Sequence, residues 1–532
     1  MRSGRCSTTA RPGSKPTAPR PAPSRICTPP SAPRCPVRAA RYSARHLRDR
    51  PEPVMEPRRD PRVCPETKGR IMTQDTPTTT TPETSTQGGE SAADTATPAE
   101  RVIVTHGRSL MALAVARSLG RRGIEVIGCD DSPMMALSFS RYVAHTFLHA
   151  PKVEDEAAYL DSLIEAVRTE VPDDGRPTVL MPIHEDTTAI ARAADRFPPW
   201  VRVAAPDVAL IDQVFPKDRL ARTVERLGVA APPTRMVEDA ASARAAGDAI
   251  GYPVFVKPPA ATGGRGIAKV DAAEDMDAAF DEARRLDPDR PILVQGLAPG
   301  EDYCLTALYQ DGVMRAHMAY RNLETFPGAG GFGVLRETVA PGPMPAAADA
   351  LLSELRWTGV VQLDFRWSGA ADDRPHLIEV NPRFWGGLFQ SIESGLDYPW
   401  LLYRLTVDGA VPEPPPVELG QRTKVPLLWI LGAVEDLAED TGRFDALESA
   451  WQDARARARD GAWGKAAGTL GTALSEGLLP TTARERLVAR WRNAASARPE
   501  LFTADDPMAG LGLLYTVGYM IRNGRLPEEL SR

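Results

Sequence analysis

From Arg101 onward, short apolar runs alternate with stretches of helical period, and that alternation limits the fold more than any other feature of the 532-residue chain. VIV (102–104) reads as a buried strand, THGRS as a turn, and LMALAVARSLGRRG (110–123) as a helix ending at Gly123. EVIGCD (125–130) is a second strand, closing on Asp130 and Asp131. A helix near 155–170, the strand TVLMPI (178–183), a helix from Thr187 and the strand VRVAAP (201–206) continue the series. Strands separated by helices predict a parallel sheet with both faces covered, so a Rossmann-like domain is expected over 101–213. Its first turn, THGRS, lacks the G-x-G-x-x-G spacing, which argues against a dinucleotide. The strand ends can still line a pocket, since ligands of open α/β sheets sit at the carboxyl ends.

After FPKDRLARTVERLGVAAPPT (215–234) the pattern turns antiparallel in character. YPVFVKPPAATGGRGIAKV (252–270) reads as strand, glycine loop, strand, followed by a helix over about 273–286 and the strand PILVQ (291–295). Longer strands are predicted near 303–309, 313–321 and 334–340, with a helix near 346–356 before GVVQLDFRW and HLIEVN. Residues 420–532 look mostly helical, with KVPLLWILGAVEDL and a Trp/Arg/Ala-rich middle, and are expected to form a C-terminal helical domain. The apolar run MAGLGLLYTVGYMI (508–521) is shorter than the roughly 20 residues that span a bilayer and is expected to be a buried helix.

Residues 1–71 hold 17 Lys and Arg against 5 Asp and Glu, so of the formal charge of -6 the remainder carries about -18. An acidic body is not a default partner for nucleic acid or an anionic membrane. The basic stretch is rich in Arg, Pro and Ser with no apolar periodicity, and residues 72–100 form a Thr/Glu/Gly linker, so 1–100 is expected to be disordered. Met72 is the expected start of translation, with the text before it over-called. Four of the six cysteines, Cys6, Cys27, Cys35 and Cys64, lie in that stretch at spacings that match no zinc pattern. No apolar signal region precedes the body, which keeps only Cys129 and Cys304; a reducing cytoplasm is the expected compartment.

The chemistry gathers near HLIEVNPRFWGG (376–387). In a strand, residues two apart share a face, so Glu379 and Asn381 project together while Ile378 and Val380 point to the other side. A carboxylate beside an amide oxygen suits Mg²⁺, a hard cation that shares its shell with substrate phosphates. Asp364 interrupts the apolar strand GVVQLDFRW just upstream; if the two strands are neighbours, Asp364, Glu379 and Asn381 converge on a cation pair. Asp364 alone would read as a strand-end acid facing water. Lys257 stands in a buried strand and needs an anion. The ATGGRG loop after it can set backbone N–H groups against phosphate oxygens, although such a loop alone is usually a hairpin. Lys217, at a helix start in PKDRL, is a second candidate phosphate cation that by itself would be an ordinary surface lysine.

The order Lys217, Lys257 with its glycine loop, VQGLAPGEDY, LDFRW and EVNPRFWGG resembles the ATP-grasp superfamily, with the nearest likeness to carboxylate–amine ligases and predicted ATP-dependent carboligases, over residues 101 to about 410. The resemblance implies an α/β and α+β architecture: a Rossmann-like pre-ATP-grasp domain (101–213), a two-lobed ATP-grasp fold (214–412) and the helical region (420–532). It implies ATP and Mg²⁺ as cofactors, with Mn²⁺ as a substitute. Lys217 and Lys257 would hold phosphates under a lid of Gly263, Gly264 and Gly266. Gln295 to Leu297 would present backbone to adenine, and Asp302 or Glu301 would bind the ribose. Asp364, Glu379 and Asn381 would bind metal, and Arg383 would face the transferring phosphoryl group. Many members carry an acid where this chain has Gly296.

The reaction so implied is ligation of a carboxylate to an amine through an acyl phosphate, by positioning and electrostatics rather than a nucleophilic triad. Arg321 and Arg336, flanking RNLETFPGAGGFG, could grip a substrate carboxylate or the acyl phosphate as bidentate forks; otherwise they solvate strand edges. His184 and Glu185 are expected to shape the pocket mouth. The alternatives are a carboxylase acting on bicarbonate, a non-catalytic ATP-binding module docking a partner through its helical C-terminus, and nucleic-acid binding by the basic tail. The expected partners are small carboxylate and amine substrates and a second copy in a homodimer, with neither nucleic acid nor a membrane span.

Overall fold

The computed structural model describes residues 100–438 and 481–512, except 153–154, 262–263, 327–330 and 371, together with Gly518 and short stretches between 449 and 468. The chain divides into Met1–Ser91 and Ala92–Arg532. The expected disordered segment lies outside the described residues except for Glu100.

The first layer holds β1 (Arg101–Val104), α1 (Leu110–Gly120), β2 (Glu125–Asp130), β3 (Val143–Leu148), α2 (Glu156–Glu170), β4 (Thr178–Met181), α3 (Asp186–Arg192), β5 (Val201–Val203) and α4 (Val208–Val214). Its five strands are parallel in the order β3-β2-β1-β4-β5, as the strand–helix alternation requires. The order reverses between β1 and β4. Strand β3 was invisible to periodicity because it is an edge strand whose Ala144 and His145 are exposed and which buries Phe147 alone. Helix α1 starts where the Ser109 hydroxyl accepts from the Ala112 N–H, and it buries almost its whole length, Met111 to Leu119.

A smaller sheet follows, from α5 (Lys217–Leu227), β6 (Thr234–Val237), α6 (Ala240–Ile250), β7 (Val254–Lys257), β8 (Ala268–Val270), α7 (Met276–Leu286) and β9 (Ile292–Gly296). Its order is β6-β9-β7-β8, every pair antiparallel. Val254, Val256, Ile292 and Val294 pack against Ala246, Phe280 and Ala283 of α6 and α7.

The larger sheet comprises β10 (Glu301–Gln310), β11 (Val313–Phe326), β12 (Phe332–Val339), β13 (Gly359–Trp367), β14 (His376–Asn381), β15 (Arg422–Lys424) and β16 (Arg498–Pro499), in the order β14-β13-β10-β11-β12-β15-β16. Helices α8 (Met344–Leu352), α9 (Leu388–Glu393), α10 (Tyr398–Asp408), α11 (Pro426–Ala438) and α12 (Thr481–Ala495) accompany it. Four residues, 297–300, carry the chain from β9 in one sheet to β10 in the other, so both sheets meet near the end of β9. The core around Val102, Val104 and Leu113 continues into Phe384, Trp385 and Tyr398, which follow β14. Burial therefore fixes the Rossmann-like sheet against the segment expected to end the nucleotide site.

Two expectations for the C-terminal region change. Besides helices α11 and α12, residues after 420 supply β15, antiparallel to β12, and β16, parallel to β15. The run expected as a buried helix over 508–521 begins as a 3₁₀ turn, Pro507–Gly512, and 513–517 and 519–521 lie outside the described residues. No helix among the described residues is long and apolar enough to cross a membrane.

Candidate functional site

Strands β13 and β14 are neighbours, and their antiparallel register sets Gln362 opposite Asn381 and Asp364 opposite Glu379. Directly opposed residues share a face, so both carboxylates and the amide converge as the strand pattern predicted. The anchoring side needs a correction. The register slips between Asp364 and Phe365, whose partner is Leu377, which leaves Ile378 as an extra residue on β14. Such a bulge re-aims the side chains before it. Leu377 and Val380 therefore enter the core with Leu363 and Phe365, and Ile378 stays only partly buried.

Asp364 is held on three sides. Its Oδ1 accepts from Cys304 Sγ at 3.2 Å and from Gln362 Nε2, and its Oδ2 accepts from Asn381 Nδ2 at 3.2 Å. Asn381 Nδ2 also donates to Gln362 Oε1 at 2.9 Å. Burial, and then the Glu379 charge opposite, push the Asp364 carboxyl up to about 7. Burial presses Glu379 upward as well, but Lys217, Lys257 and Arg383 outweigh it and hold that carboxyl below its ordinary range. Gln362 was missed from sequence, although its place two residues before Asp364 on one strand face could have revealed it.

Lys217, first residue of α5, puts Nζ 2.8 Å from Glu379 Oε1 and donates to the Ala261 carbonyl at 2.7 Å. Its own N–H donates to the Pro259 carbonyl at 3.1 Å, and Asp287 accepts from the Ala260 N–H at 2.8 Å. These contacts fix the near limb of the loop between β7 and β8. Gly264 and Gly266 take φ of 77° and 67°, a backbone that side chains resist. Gly263 lies outside the described residues.

Lys257 ends β7 and donates to Gln295 Oε1 at 2.6 Å, and Gln295 Nε2 donates to Thr234 Oγ1 at 2.9 Å. Gln295, expected to offer only backbone, thus orients the buried lysine with its side chain. Burial, opposed by Glu379 and assisted by Lys217, lowers the Lys257 ammonium to about 8. Leu297 is 49% exposed just beyond β9. The acid common at position 296 has no room here: a Cβ on Gly296 would meet Ile250 Cγ2 at 2.9 Å. At the start of β10, Glu301 and Asp302 are exposed; Asp302 pairs with Arg366 at 2.9 Å and Glu301 lies 3.7 Å from Arg321.

Arg383 turns back after Pro382. Its Nη1 donates to the Phe384 carbonyl at 3.0 Å, its Nη2 stands 3.5 Å from Glu185 Oε1, and its charge draws down both Asp364 and Glu379. Glu185 comes from the turn after β4, so the Rossmann-like sheet reaches the site directly. The two arginine forks expected to grip substrate have protein partners. Arg321 is ion-paired with Glu337 at 3.0 Å. Arg336 is 2% exposed, pairs with Glu500 and lies over the Phe332 ring. Sequence separation hid Glu500, which stands 164 residues from its partner.

Parts of the chain are similar to known proteins. A family described as the carbamoyl-phosphate synthase L chain ATP-binding domain matches residues 216–294, and one described as ATP-grasp in the biosynthetic pathway with Ter operon matches 291–425. Over residues 291–425 the chain is thus similar to ATP-grasp proteins. The carbamoyl phosphate synthase large chain of Pseudothermotoga lettingae is 26% identical over 172 residues, 32% of this chain and 14% of its own length. The C-terminal section of the Methanopyrus kandleri enzyme is 32% identical over 104 residues, 20% of this chain and 19% of its own. The chain thus spans less than a fifth of these curated relatives. In fold it is similar to the biotin carboxylase of Campylobacter jejuni, with a TM-score of 0.51, 18% identity, and coverage of 60% of this chain and 74% of that one. The biotin carboxylase domain dimer of Hydrogenobacter thermophilus 2-oxoglutarate carboxylase, solved with MgADP, ADP and bicarbonate, gives 0.50, 17%, 60% and 73%.

Proposed function

We propose that this protein is an ATP-dependent ligase that joins a carboxylate to an amine through an acyl phosphate, using Mg-ATP. The observation that carries the reading is the opposition of Asp364 and Glu379 across β13 and β14, with Lys217 on Glu379 and Lys257 close behind. Two facing carboxylates, one of them pushed up to about 7, are the electrostatic condition that a divalent cation relieves. Among the described residues no three His, Cys, Asp or Glu side chains gather to hold a metal by themselves. Mg²⁺ fits that limited set, since it takes one or two carboxylates and completes its shell with phosphates and water. Asn381 gives its NH₂ to Gln362 and Asp364, so Oδ1 would be its ligand atom.

Bound Mg-ATP would supply the phosphoryl group and neutralise its charge. Lys217 and Lys257 would hold phosphate oxygens, and the loop through Gly264 and Gly266 would cover them with backbone N–H groups. Arg383 would steady charge on the transferring group, released from Glu185 as it does so. The end of β9, Gln295 to Leu297, would present backbone to the base, and Glu301 or Asp302 would reach the ribose. Arg321 could turn to a substrate carboxylate by leaving Glu337; Arg336, buried on Glu500, would act through the wall of the pocket.

The test is ADP release from Mg-ATP with pools of amino acids and small carboxylates. Release that needs a carboxylate and an amine together is expected, and absence of Mg-ATP binding by calorimetry would remove the whole assignment. The similarity to carbamoyl phosphate synthase supports a second reading, ATP-dependent activation of bicarbonate, which predicts release with bicarbonate and no added amine. Light scattering checks the expected homodimer.

Phosphate binding should depend on pH through Lys257. Below about pH 8 the lysine already holds its proton; above it, binding an anion must draw a proton in, so affinity falls as pH rises. Calorimetry of MgADP in two buffers of different ionisation heat should show proton uptake at about pH 9 and none from this group at about pH 7. Lys257→Gln should abolish the uptake. Uptake that persists in the variant would mean that another group titrates.

A further inference from the structure

The carboxyl ends of β1 and β4 hold a feature that the nucleotide site does not use. His106 follows β1 by two residues and His184 follows β4 by three, and both take left-handed backbone with φ of 54° and 58°. Residues with a Cβ seldom adopt it, and strain of this kind collects at functional sites. The two rings stack with centroids 5.4 Å apart and planes 11° apart. They lie at the point where the strand order reverses, the place at which open α/β sheets take ligands. His106 Nε2 is buried without a hydrogen-bond partner. Leaving such an atom unsatisfied is costly, and a ligand that donates to it removes the cost.

The neighbours indicate the ligand's charge and its direction. Glu185 stands 3.8 Å from His184 Nδ1 and 3.5 Å from Arg383 Nη2, so the crevice opens toward the phosphoryl end of the nucleotide site. Asp130 and Asp131 pair with Arg108, and Asp186 stands 3.8 Å from Lys152. Asp130, Asp131, Glu185 and Asp186 thus face Arg108, Lys152 and Arg383, four negative groups to three positive ones. That balance favours an ammonium group over a second carboxylate.

We propose that this crevice is the amine-side subsite of the ligase reaction, with His106 Nε2 accepting from the amine nitrogen. The inference rests on the ligase reading given above. In the step it serves, the amine nitrogen forms a bond to the acyl carbon, and the acyl carbon–oxygen bond to phosphate breaks with its electron pair going to phosphate. One ammonium proton passes to His106 Nε2 and a second leaves with the phosphate as hydrogen phosphate. An imidazole is suited to that transfer near neutral pH. His184, stacked beneath, positions the His106 ring.

The experiment compares the full chain with His106→Asn, a residue that tolerates the left-handed backbone, and with His106→Ala. The amine probes are the standard amino acids supplied singly, and the readouts are ADP release and calorimetric Mg-ATP binding. Both variants should bind Mg-ATP within about twofold of wild type while the amine KM rises about tenfold or more. An unchanged amine KM and kcat in a variant that binds Mg-ATP overturns the subsite and leaves the ligase reading standing. Wild type that binds Mg-ATP but releases no amine-dependent ADP overturns the ligase reading and the subsite with it. Equal loss of Mg-ATP binding and amine dependence overturns the subsite too, since the histidine would then serve the fold.

Discussion

Replacing Glu379 by Gln is expected to lower amine- and carboxylate-dependent ADP release by about 10²–10³-fold, the scale on which losing one preorganised electrostatic contact at a reacting phosphoryl group is felt. The substitution keeps shape and removes a charge that does three things. It faces Asp364 across the β13–β14 ladder, it pairs with Lys217 at 2.8 Å, and it sustains the Lys257 ammonium. Without it, Asp364 loses the neighbour that raises its carboxyl, and a divalent cation has one carboxylate instead of two. Mg²⁺-dependent nucleotide binding should weaken in calorimetry, and the circular dichroism spectrum should not change, because Leu377 and Val380 still anchor the strand. A variant keeping more than about a tenth of wild-type turnover would place the metal elsewhere, on the same scale of effect.

Asp506→Ala is expected to destabilise the folded body by about 3–5 kcal/mol, the cost of leaving a buried charge without its partner. Arg117 on α1 is 2% exposed and Asp506 is 1% exposed, and they meet at 2.9 Å across 389 residues of sequence. Arg117 also donates to the carbonyls of Glu500, Leu501 and Asp506, while Asp506 accepts from the Ser140 hydroxyl and the Arg141 N–H. The segment after β16 is therefore fixed to the Rossmann-like layer on one side and, through Glu500 and Arg336, to the large sheet on the other. The midpoint of the first urea transition is the measurement. Arg117→Met combined with Asp506→Leu should recover part of the loss, since it leaves no charge unpaired, while the Ser140 hydroxyl, the Arg141 N–H and the carbonyls that Arg117 served still lose their partners. A single variant that shifts the transition by less than about 1 kcal/mol would show that the pair is solvated, as exposed ion pairs are.

How much of the site the sequence revealed follows from the range of each signal. Asp364, Glu379 and Asn381 stood out because a polar residue in an apolar strand breaks a period of two, and that period is local. Lys257 stood out for the same reason, and the glycines after it announced a loop. Side chains that orient these groups gave weaker signals. Gln362 could be read only as the residue two before Asp364 on the same strand face, and the side-chain role of Gln295 only once Lys257 is seen on the neighbouring strand.

The sequence by itself determined most of the order of strands and helices from Arg101 to Asn381, though not β3, β6 or α6, and which polar residues lie at strand ends. Both follow from hydrophobic periodicity within a few residues. Tertiary structure decided what no local period carries. It placed the bulge at Ile378 that sends Leu377 into the core, and it joined β15 and β16 to a sheet begun more than a hundred residues earlier. It seated Arg336 on Glu500 and Arg117 on Asp506, and it brought His106 against His184. Each of these needs two distant stretches of chain in one place, and it is burial of the shared core that puts them there.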